Sequence, residues 1–468
     1  MDSIFYVAEP GSFLFKKAGQ SVGASGSQQL LLGGRLHVDM ATAVNGWVKA
    51  STIPDKKSKT RSGFIELSRL SAREQLKVFY TDVGQGDATL IEAEGAIVII
   101  DGGPNRGFSD RLNQRLASLR RADKALGLPA RDTLHINAVI ISHFDKDHYN
   151  GLTRVLNNSD YTFGTIYHNG LPRYGEPADK DLNLGALSPL PDTSKSISTD
   201  LRGLDSAQAL LDSDELLTAD GNLNMFGKFL DAAIKAAGEG RLDDFKLLVK
   251  RRVDGPAVIL PDTGDDLEFE VLAPLTTTTG GPIRLQAFPD PHDVTATNPH
   301  PSPSESHTIN GNSVVLRLTY GDMNFLFGGD LNQPAQKYLA ARYAGLDGFA
   351  ADVNKACHHG SSDFDLDYVK AINPHATVFS SGDSGSYDHP LPDAMGAAAK
   401  HSQGEIPLVF STELARETGS GGIKFGHINA RSNGHVVVMA QKKEIPSAAK
   451  TWYSFALPFA GLFHDDHG

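Results

Sequence analysis

The sequence predicts an α/β sandwich preceded by a small all-β, barrel-like unit. Three observations carry that prediction. Apolar, β-branched runs such as Ala96–Ile100 and residues 136–141 suit strands buried on both faces. Those runs alternate with helical stretches, the pattern of helices layered on sheets. Before residue 70, by contrast, short apolar stretches alternate with turn signals and no helix pattern intervenes.

The elements follow in order. Residues 1–70 hold QQLLLGGRLHV, NGWVKAS and SGFIELS, with Asn45-Gly46 as a hairpin-type turn. This unit has two open readings, a structural cap on the main domain and a module that binds a partner protein. From residue 71 to 445 runs the main domain. Strands are expected at 76–80 and 96–100, then a helix over 109–124 with Ser109 as its N-cap. A strand at 136–141 leads to a helix over 148–156. Residues 171–265 read as an insertion, with a helix near 225–237. After a strand at 267–272, the Thr-, Pro-, Gly- and His-rich stretch 276–307 reads as a long exposed loop near the active face. Strands at 313–319 and 323–327, a helix at 333–344, and strands near 352–356 and 377–380 follow. A hairpin turning at Asn433-Gly434 closes the domain, and 446–468 reads as a tail.

Composition narrows the function classes. A chain of 468 residues exceeds one small core. The net charge of −12 argues against sequence-blind nucleic-acid binding by the whole surface, while a local basic stripe stays open. With Cys357 as the lone cysteine, no intramolecular disulfide forms, and a cytoplasmic location is expected. No run of about 18 apolar residues argues for a membrane span.

The segment Ser142-His143-Phe144-Asp145-Lys146-Asp147-His148 carries the chemistry. Four potential ligands crowd the turn between a buried strand and a helix. A solvated helix start would explain Asp147, and even Asp145, but not two histidines. The alternation lets His143 and Asp145 serve one metal while Asp147 and His148 turn toward a second. Imidazole suits zinc, iron or manganese, and carboxylate pulls toward the harder ions.

Around this segment lie Asp82-Val83-Gly84-Gln85-Gly86-Asp87, Ile100-Asp101-Gly102-Gly103-Pro104, Asn312-Ser313-Val314-Val315, Gly328-Gly329-Asp330, Cys357-His358-His359-Gly360-Ser361 and Tyr387-Asp388-His389-Pro390. In this order, over roughly residues 76–440, they resemble the metallo-β-lactamase superfamily, and more narrowly the hydrolase domain of the DNA-uptake protein ComEC. The N-terminal unit resembles bacterial Src-homology-3-like domains through its Gly-Trp-Val and Gly-Phe-Ile strands. The main resemblance implies an αββα sandwich holding two divalent metal ions, manganese or zinc. It implies Asp330 as a bridging ligand, His389 as the late ligand, and His358, with His359, as catalytic groups beside Asp147. The opposite roles for His358 and His389 stay open. Asp101 is expected to support a ligand histidine from behind by accepting its ring proton. Asn312, standing where many members carry a histidine ligand, is expected behind the ligands too. His168 is a candidate substitute ligand, against its plainer reading as a polar residue at a loop start.

Asp145 stands where the family's commonest motif has histidine, which favours manganese over zinc. Cys357 reads as a small buried residue rather than a nucleophile. His292, His300 and His307 read as solvated, and the His464–His467 cluster as part of the tail. Arg111, Arg115, Arg120, Arg121 and Lys124 share one helix, whose default reading is a solvated face. The expected function is hydrolysis of a phosphodiester in DNA or RNA by metal-activated water, as a stand-alone soluble nuclease. Alternatives are a cyclic-nucleotide phosphodiesterase, a lactonase or β-lactamase-like hydrolase, and a non-catalytic metal-bound binding scaffold. Substrate chemistry therefore points to a nucleic acid or nucleotide partner and to no membrane.

Overall fold

The computed structural model describes residues 2–440 apart from 54–58, 126, 176–181, 262, 264–266, 279–280, 300, 347, 383–386, 405–406 and 413–435. The turn at Asn433-Gly434, the tail 446–468 and His300 lie outside the described residues.

Two seven-stranded sheets face each other. Across the first run Leu242–Leu247, Tyr161–His168, Leu134–Ile140, Ala96–Ile100, Thr89–Ala93, Leu76–Tyr80 and Val436–Ala440. Across the second run Val258–Ile259, Glu268–Ala273, Val315–Tyr320, Met323–Phe327, Val353–Lys355, Ala376–Phe379 and Leu408–Ser411. The period-2 alternation of a strand explains why the apolar runs are continuous. In Ala96–Ile100, Val98 and Ile100 enter the core between the sheets, where they meet the cluster of Val271, Leu316 and Phe325. Ile97 and Ile99 point the other way, into the core beneath the helices Gly107–Ala125, Lys146–Leu156 and Met225–Gly238. On the far side, Leu339 and Tyr368 from Gln333–Arg342 and Leu366–Ile372 pack on Val315 and Leu326. The result is the αββα sandwich expected from the sequence.

Pairing direction positions the site. Ala96–Ile100, Leu134–Ile140, Tyr161–His168 and Leu242–Leu247 are mutually parallel, as are Met323–Phe327, Val353–Lys355 and Ala376–Phe379. Parallel strands gather their carboxyl ends on one edge, and loops that leave there can converge on a ligand. Gly151 lets the helix Lys146–Leu156 press against this edge, since a Cβ there would collide with the Gly102 carbonyl. The Gly102 N–H donates to the His148 carbonyl at 2.6 Å and the Gly151 N–H to the Gly103 carbonyl at 2.8 Å.

Three expectations change in detail. The stretch 276–307 is not one exposed loop. Arg284–Ala287 is a strand paired with Lys195–Ser198, and Leu285 and Ala287 are buried. Its brevity and its Pro- and Gly-rich flanks conceal the pattern. The segment 171–265 does more than decorate the surface, because Leu242–Leu247 extends the first sheet and Met225–Gly238 supplies Phe229 and Ala233 to its core. The helix expected from Ser109 starts at Gly107, whose N–H is taken by Asn105 Oδ1 at 2.8 Å.

Ahead of the sandwich, Asp2–Val7, Arg35–Val44, Trp47–Thr52, Ser62–Glu66 and Leu70–Ser71 form an antiparallel sheet with its own core of Val7, Leu36, Val38, Val48 and Ile65. Asn45 and Gly46 both have positive φ, as the tight hairpin turn requires. Gln75 ties the sheet to the sandwich by donating to the Val7 carbonyl at 3.1 Å. Among the described residues, no helix is long and apolar enough to cross a membrane.

Candidate metal centre

Each chemistry-bearing side chain sits just past the end of a strand. Asp101 follows Ala96–Ile100 in a left-handed conformation, φ 59°. Its Oδ1 accepts the Ser142 N–H at 2.8 Å, and its Oδ2 accepts the Ser142 hydroxyl at 2.7 Å. Oδ2 also lies 2.9 Å from His148 Nδ1. An ionised carboxylate only accepts, so this contact places a ring proton on Nδ1 and leaves Nε2 as the atom that can turn to a ligand. That Nε2 lies 3.2 Å from Asp330 Oδ2.

Asp147, His148, Asp330 and His359 each bring a donor atom to within 4.8 Å of the others. His359 Nδ1 donates to the Ser380 carbonyl at 2.9 Å, so its Nε2, the ring atom left to face a ligand, lies 3.1 Å from Asp330 and 3.3 Å from Asp147. His143 completes the group, its ring centroid 4.1 Å from that of His148 and its Nε2 3.7 Å from Asp145 Oδ2. The buried Nε2 atoms of His143, His148 and His359 make no hydrogen bond, nor do the Oδ1 atoms of Asp87 and Asp330. Buried polar atoms without partners are costly, and such a concentration of them needs a further group. Burial opposes protonation of His148 and His359, yet Asp330 with Asp101 for the first, and Asp330 with Asp87 for the second, outweigh it and hold both rings well above the usual histidine range. The pocket therefore draws positive charge, and its imidazole-plus-carboxylate donors fit divalent cations.

Two cations already belong to the chain. Lys355 is buried, bonded to Asp87 and 4.0 Å from Asp330 Oδ1, and its Nζ donates to the Gly329 carbonyl at 3.3 Å. Burial alone would lower its pKa, but Asp87 and Asp330 raise it above the ordinary lysine value. In a second donor triad, Asp87, Asp101 and His148, this ammonium holds Asp87 Oδ2 and the His148 ring proton holds Asp101 Oδ2. Arg173 bonds Asp145 and reaches Glu305 at 2.8 Å and the Phe144 carbonyl at 3.1 Å. Sequence reasoning did not single out Lys355 or Arg173. A lysine inside the short buried strand Val353–Lys355 was the available signal for the first; nothing local marks the second.

His358 and His359 both have positive φ, at 50° and 55°, which is uncommon for non-glycine residues and aims adjacent rings differently. His359 enters the donor cluster. His358 stays at its rim, 4.0 Å from Asp330 with about a quarter of its side chain exposed, and burial keeps it below the usual histidine value. His389 lies beyond the donor cluster found among the described residues. Its Nδ1 is 3.3 Å from Gln85 Nε2, its ring stands 6.3 Å from that of His359, and burial with the neighbouring imidazoles pulls it down to about 4. Asn312 is buried but does not reach the centre, because its Nδ2 donates to the carbonyls of Gln286 and Thr308 at 2.8 and 2.7 Å. Its carbonyl, in turn, accepts from Asn169 at 3.1 Å. His168 accepts the Gly170 N–H at 3.1 Å, packs 4.3 Å from Phe245 and is pushed down to about 3 by burial. It is a core histidine.

Cys357 is packed beside Tyr368, and burial pushes its thiol up to about 12, which removes it as a nucleophile at neutral pH. Arg115 and Arg120 are engaged with Glu92 and Asp160, so that helix holds structural ion pairs.

Residues 81–221 match the family model of the metallo-beta-lactamase superfamily. That stretch holds Asp87, Asp101 and the His143–His148 segment, and it is the part of the chain that carries the likeness to the superfamily. Over 125 residues it is 31% identical to the competence protein ComA of Neisseria gonorrhoeae, a stretch covering 26% of this chain and 18% of that protein. Among solved structures, it resembles the metallo-beta-lactamase fold protein YhfI from Bacillus subtilis at 11% identity and a TM-score of 0.33, covering 73% of this chain and 99% of that one. The metallo hydrolase Igni18 from Ignicoccus hospitalis matches at 11% identity and a TM-score of 0.32, covering 78% of this chain and all of that one.

Proposed function

We propose that the chain hydrolyses phosphodiester bonds in nucleic acid, with two divalent metal ions held at this centre. The observation that carries the reading is the charge and donor set of the pocket. Asp87, Asp101, Asp145, Asp147 and Asp330, with Glu305 on Arg173, outnumber Lys355 and Arg173 by four charges. Two divalent ions would cancel that excess, so that a phosphodiester anion could approach the centre without net repulsion. The partial likeness to a competence protein agrees with a nucleic-acid substrate. Asp147, His148, Asp330 and His359 would hold one ion, and His143 with Asp145 would contribute to holding the other. When bound, such ions supply Lewis acidity and lower the pKa of water.

The chain's own residues do the rest. Asp101 fixes the His148 tautomer, and Ser380 fixes that of His359. Asp147, about a third exposed, faces the opening and can orient an attacking water. His358 stands at the rim with an unpartnered Nδ1, placed to contact the phosphate or pass a proton to the leaving oxygen. Lys355 holds Asp87 and lies near Asp330, so neither carboxylate needs to move as charge develops. Because carboxylate oxygens form much of the donor set, manganese should support more activity than zinc.

Metal-free protein reconstituted with manganese or with zinc should be assayed on single strands, plasmid, cyclic nucleotides and a chromogenic lactam. Strand cleavage, greater with manganese, is the expected result. Turnover of the lactam or cyclic nucleotides with intact strands would sink the reading. Elemental analysis of Asp147→Ala with His148→Ala should show loss of metal relative to the unaltered chain.

A further inference from the structure

Among the described residues, Tyr387 is the one aromatic side chain that is mostly exposed, at 66%. It does not stand on an unrelated surface. Its ring lies 5.7 Å from that of His389 at an interplanar angle of 24°, a stacked arrangement. His389 is itself buried, contacts Gln85, and faces His358 at 5.9 Å. Asp388, between Tyr387 and His389, has φ 52°. That left-handed residue turns the backbone so that one ring goes into the site while its neighbour but one stays out over it. An aromatic ring left two-thirds in water gives up burial worth having, unless a flat partner covers its open face.

We propose that Tyr387 is the stacking platform for an unpaired nucleobase adjacent to the phosphate that is cut. This rests on the phosphodiester reading and narrows it to single-stranded nucleic acid. Every base presents a π-face, and stacking on an aromatic side chain is sequence-tolerant. A base inside a duplex already has both faces covered and would have to leave the stack to reach Tyr387. Two successive ring contacts, Tyr387 to His389 and His389 to His358, link the platform to the rim of the metal centre. A phosphate beside His358 would thus have its own nucleoside within reach of the tyrosine. Tyr387 binds and orients; the bond-breaking groups remain those at the centre.

The test uses the full chain loaded with metal and single-stranded oligonucleotides carrying 2-aminopurine, followed by fluorescence quenching before cleavage. Tyr387→Ala is expected to weaken binding of base-bearing strands by about tenfold, the scale of one base–aromatic stack. The loss should fall on Kd and KM rather than on kcat. Tyr387→Phe and Tyr387→Trp should retain binding. A strand made abasic around the cleaved linkage should bind Tyr387→Ala and the unaltered chain alike, and duplex should bind more weakly than single strand. Equal affinity of Tyr387→Ala and the unaltered chain for base-bearing strands overturns the proposal, as does an equal loss on abasic strands. Either result leaves the phosphodiester reading standing if the unaltered chain still cleaves. Strands that the unaltered chain neither binds nor cleaves overturn both.

Discussion

Asp101 shows how one buried carboxylate decides the chemistry of a neighbouring ring. It accepts hydrogen bonds from His148 Nδ1 and from the Ser142 N–H and hydroxyl, and so turns Nε2 toward Asp330. Asp101→Ala should leave the His148 tautomer unfixed and weaken metal binding about 10- to 100-fold, read by competition against a chromogenic chelator. Asp101→Asn, whose amide oxygen can still accept, should lose less. Unchanged affinity in Asp101→Ala would remove this carboxylate from the centre. At this scale the sequence showed much but not all. Asp101, Asp147, His148 and Asp330 each sit in a short motif at a strand end, where apolar patterning stops and acidic or imidazole groups begin. The division of labour among His358, His359 and His389 was not legible. It depends on two consecutive positive φ angles that send adjacent rings to different places. Lys355 was hidden because a charged residue in a buried strand breaks the pattern that identifies the strand, and its partners are more than 200 positions away in one case.

Between elements, the ion pair of Glu92 with Arg115 joins the strand Thr89–Ala93 to the helix Gly107–Ala125. Arg115 Nε reaches Glu92 Oε1 at 2.6 Å, and the second guanidinium nitrogen bonds Oε2. Burial would raise the Glu92 pKa, but the guanidinium outweighs it and holds the carboxyl below its usual range. A depressed folded-state pKa stabilises the fold above the unfolded-state value of about 4.3, and that contribution is lost as pH falls through the lower folded value. Glu92→Gln leaves Arg115 without its countercharge and should cost about 3 kcal/mol at pH 7 in denaturant unfolding, with the difference from the unaltered chain shrinking on acidification below about pH 4.3. A pH-independent difference would show that packing, not charge, is what the substitution disturbs. The elements themselves were largely legible. Leu76–Tyr80, Ala96–Ile100 and Met323–Phe327 coincide with their expected bounds because each is a continuous run with sharp polar flanks. Arg284–Ala287 was not, since four residues are too few for a period to show between Pro- and Gly-rich flanks.

At the scale of the molecule, the motifs all follow the N-terminal sheet, which has a core of its own. The sheet still touches the sandwich, through Gln75 to Val7 and through Tyr6 beside Lys77. Between the two lies a cavity of about 390 Å³ bordered by Tyr6, Arg35, Glu74 and Arg115. Removing residues 1–71 should therefore lower stability while leaving turnover of a small phosphodiester per folded molecule within about twofold, because domain interfaces of this kind stabilise without supplying reacting groups. Folding is checked by cooperative unfolding and turnover by an artificial phosphodiester. Lost turnover in a cooperatively folded truncation would mean that the N-terminal sheet completes the site.

The sequence by itself determined the layers and the ligand types. Local periodicity, strand-end glycines and the His143–His148 segment are short-range properties, and the energetics of burial act on them wherever the chain goes. Tertiary structure alone decided which donors meet. Parallel pairing in both sheets brings Asp101, His148, Asp330 and His359 to one edge from positions up to 258 residues apart in number, and no local rule encodes that convergence. It also decided which charges are already satisfied. Lys355 on Asp87 and Arg173 on Asp145 are long-range contacts, and they set how much positive charge the centre still requires. The sandwich follows from pattern because burial is additive along the chain, whereas the centre depends on a few distances that only the packed sheets fix.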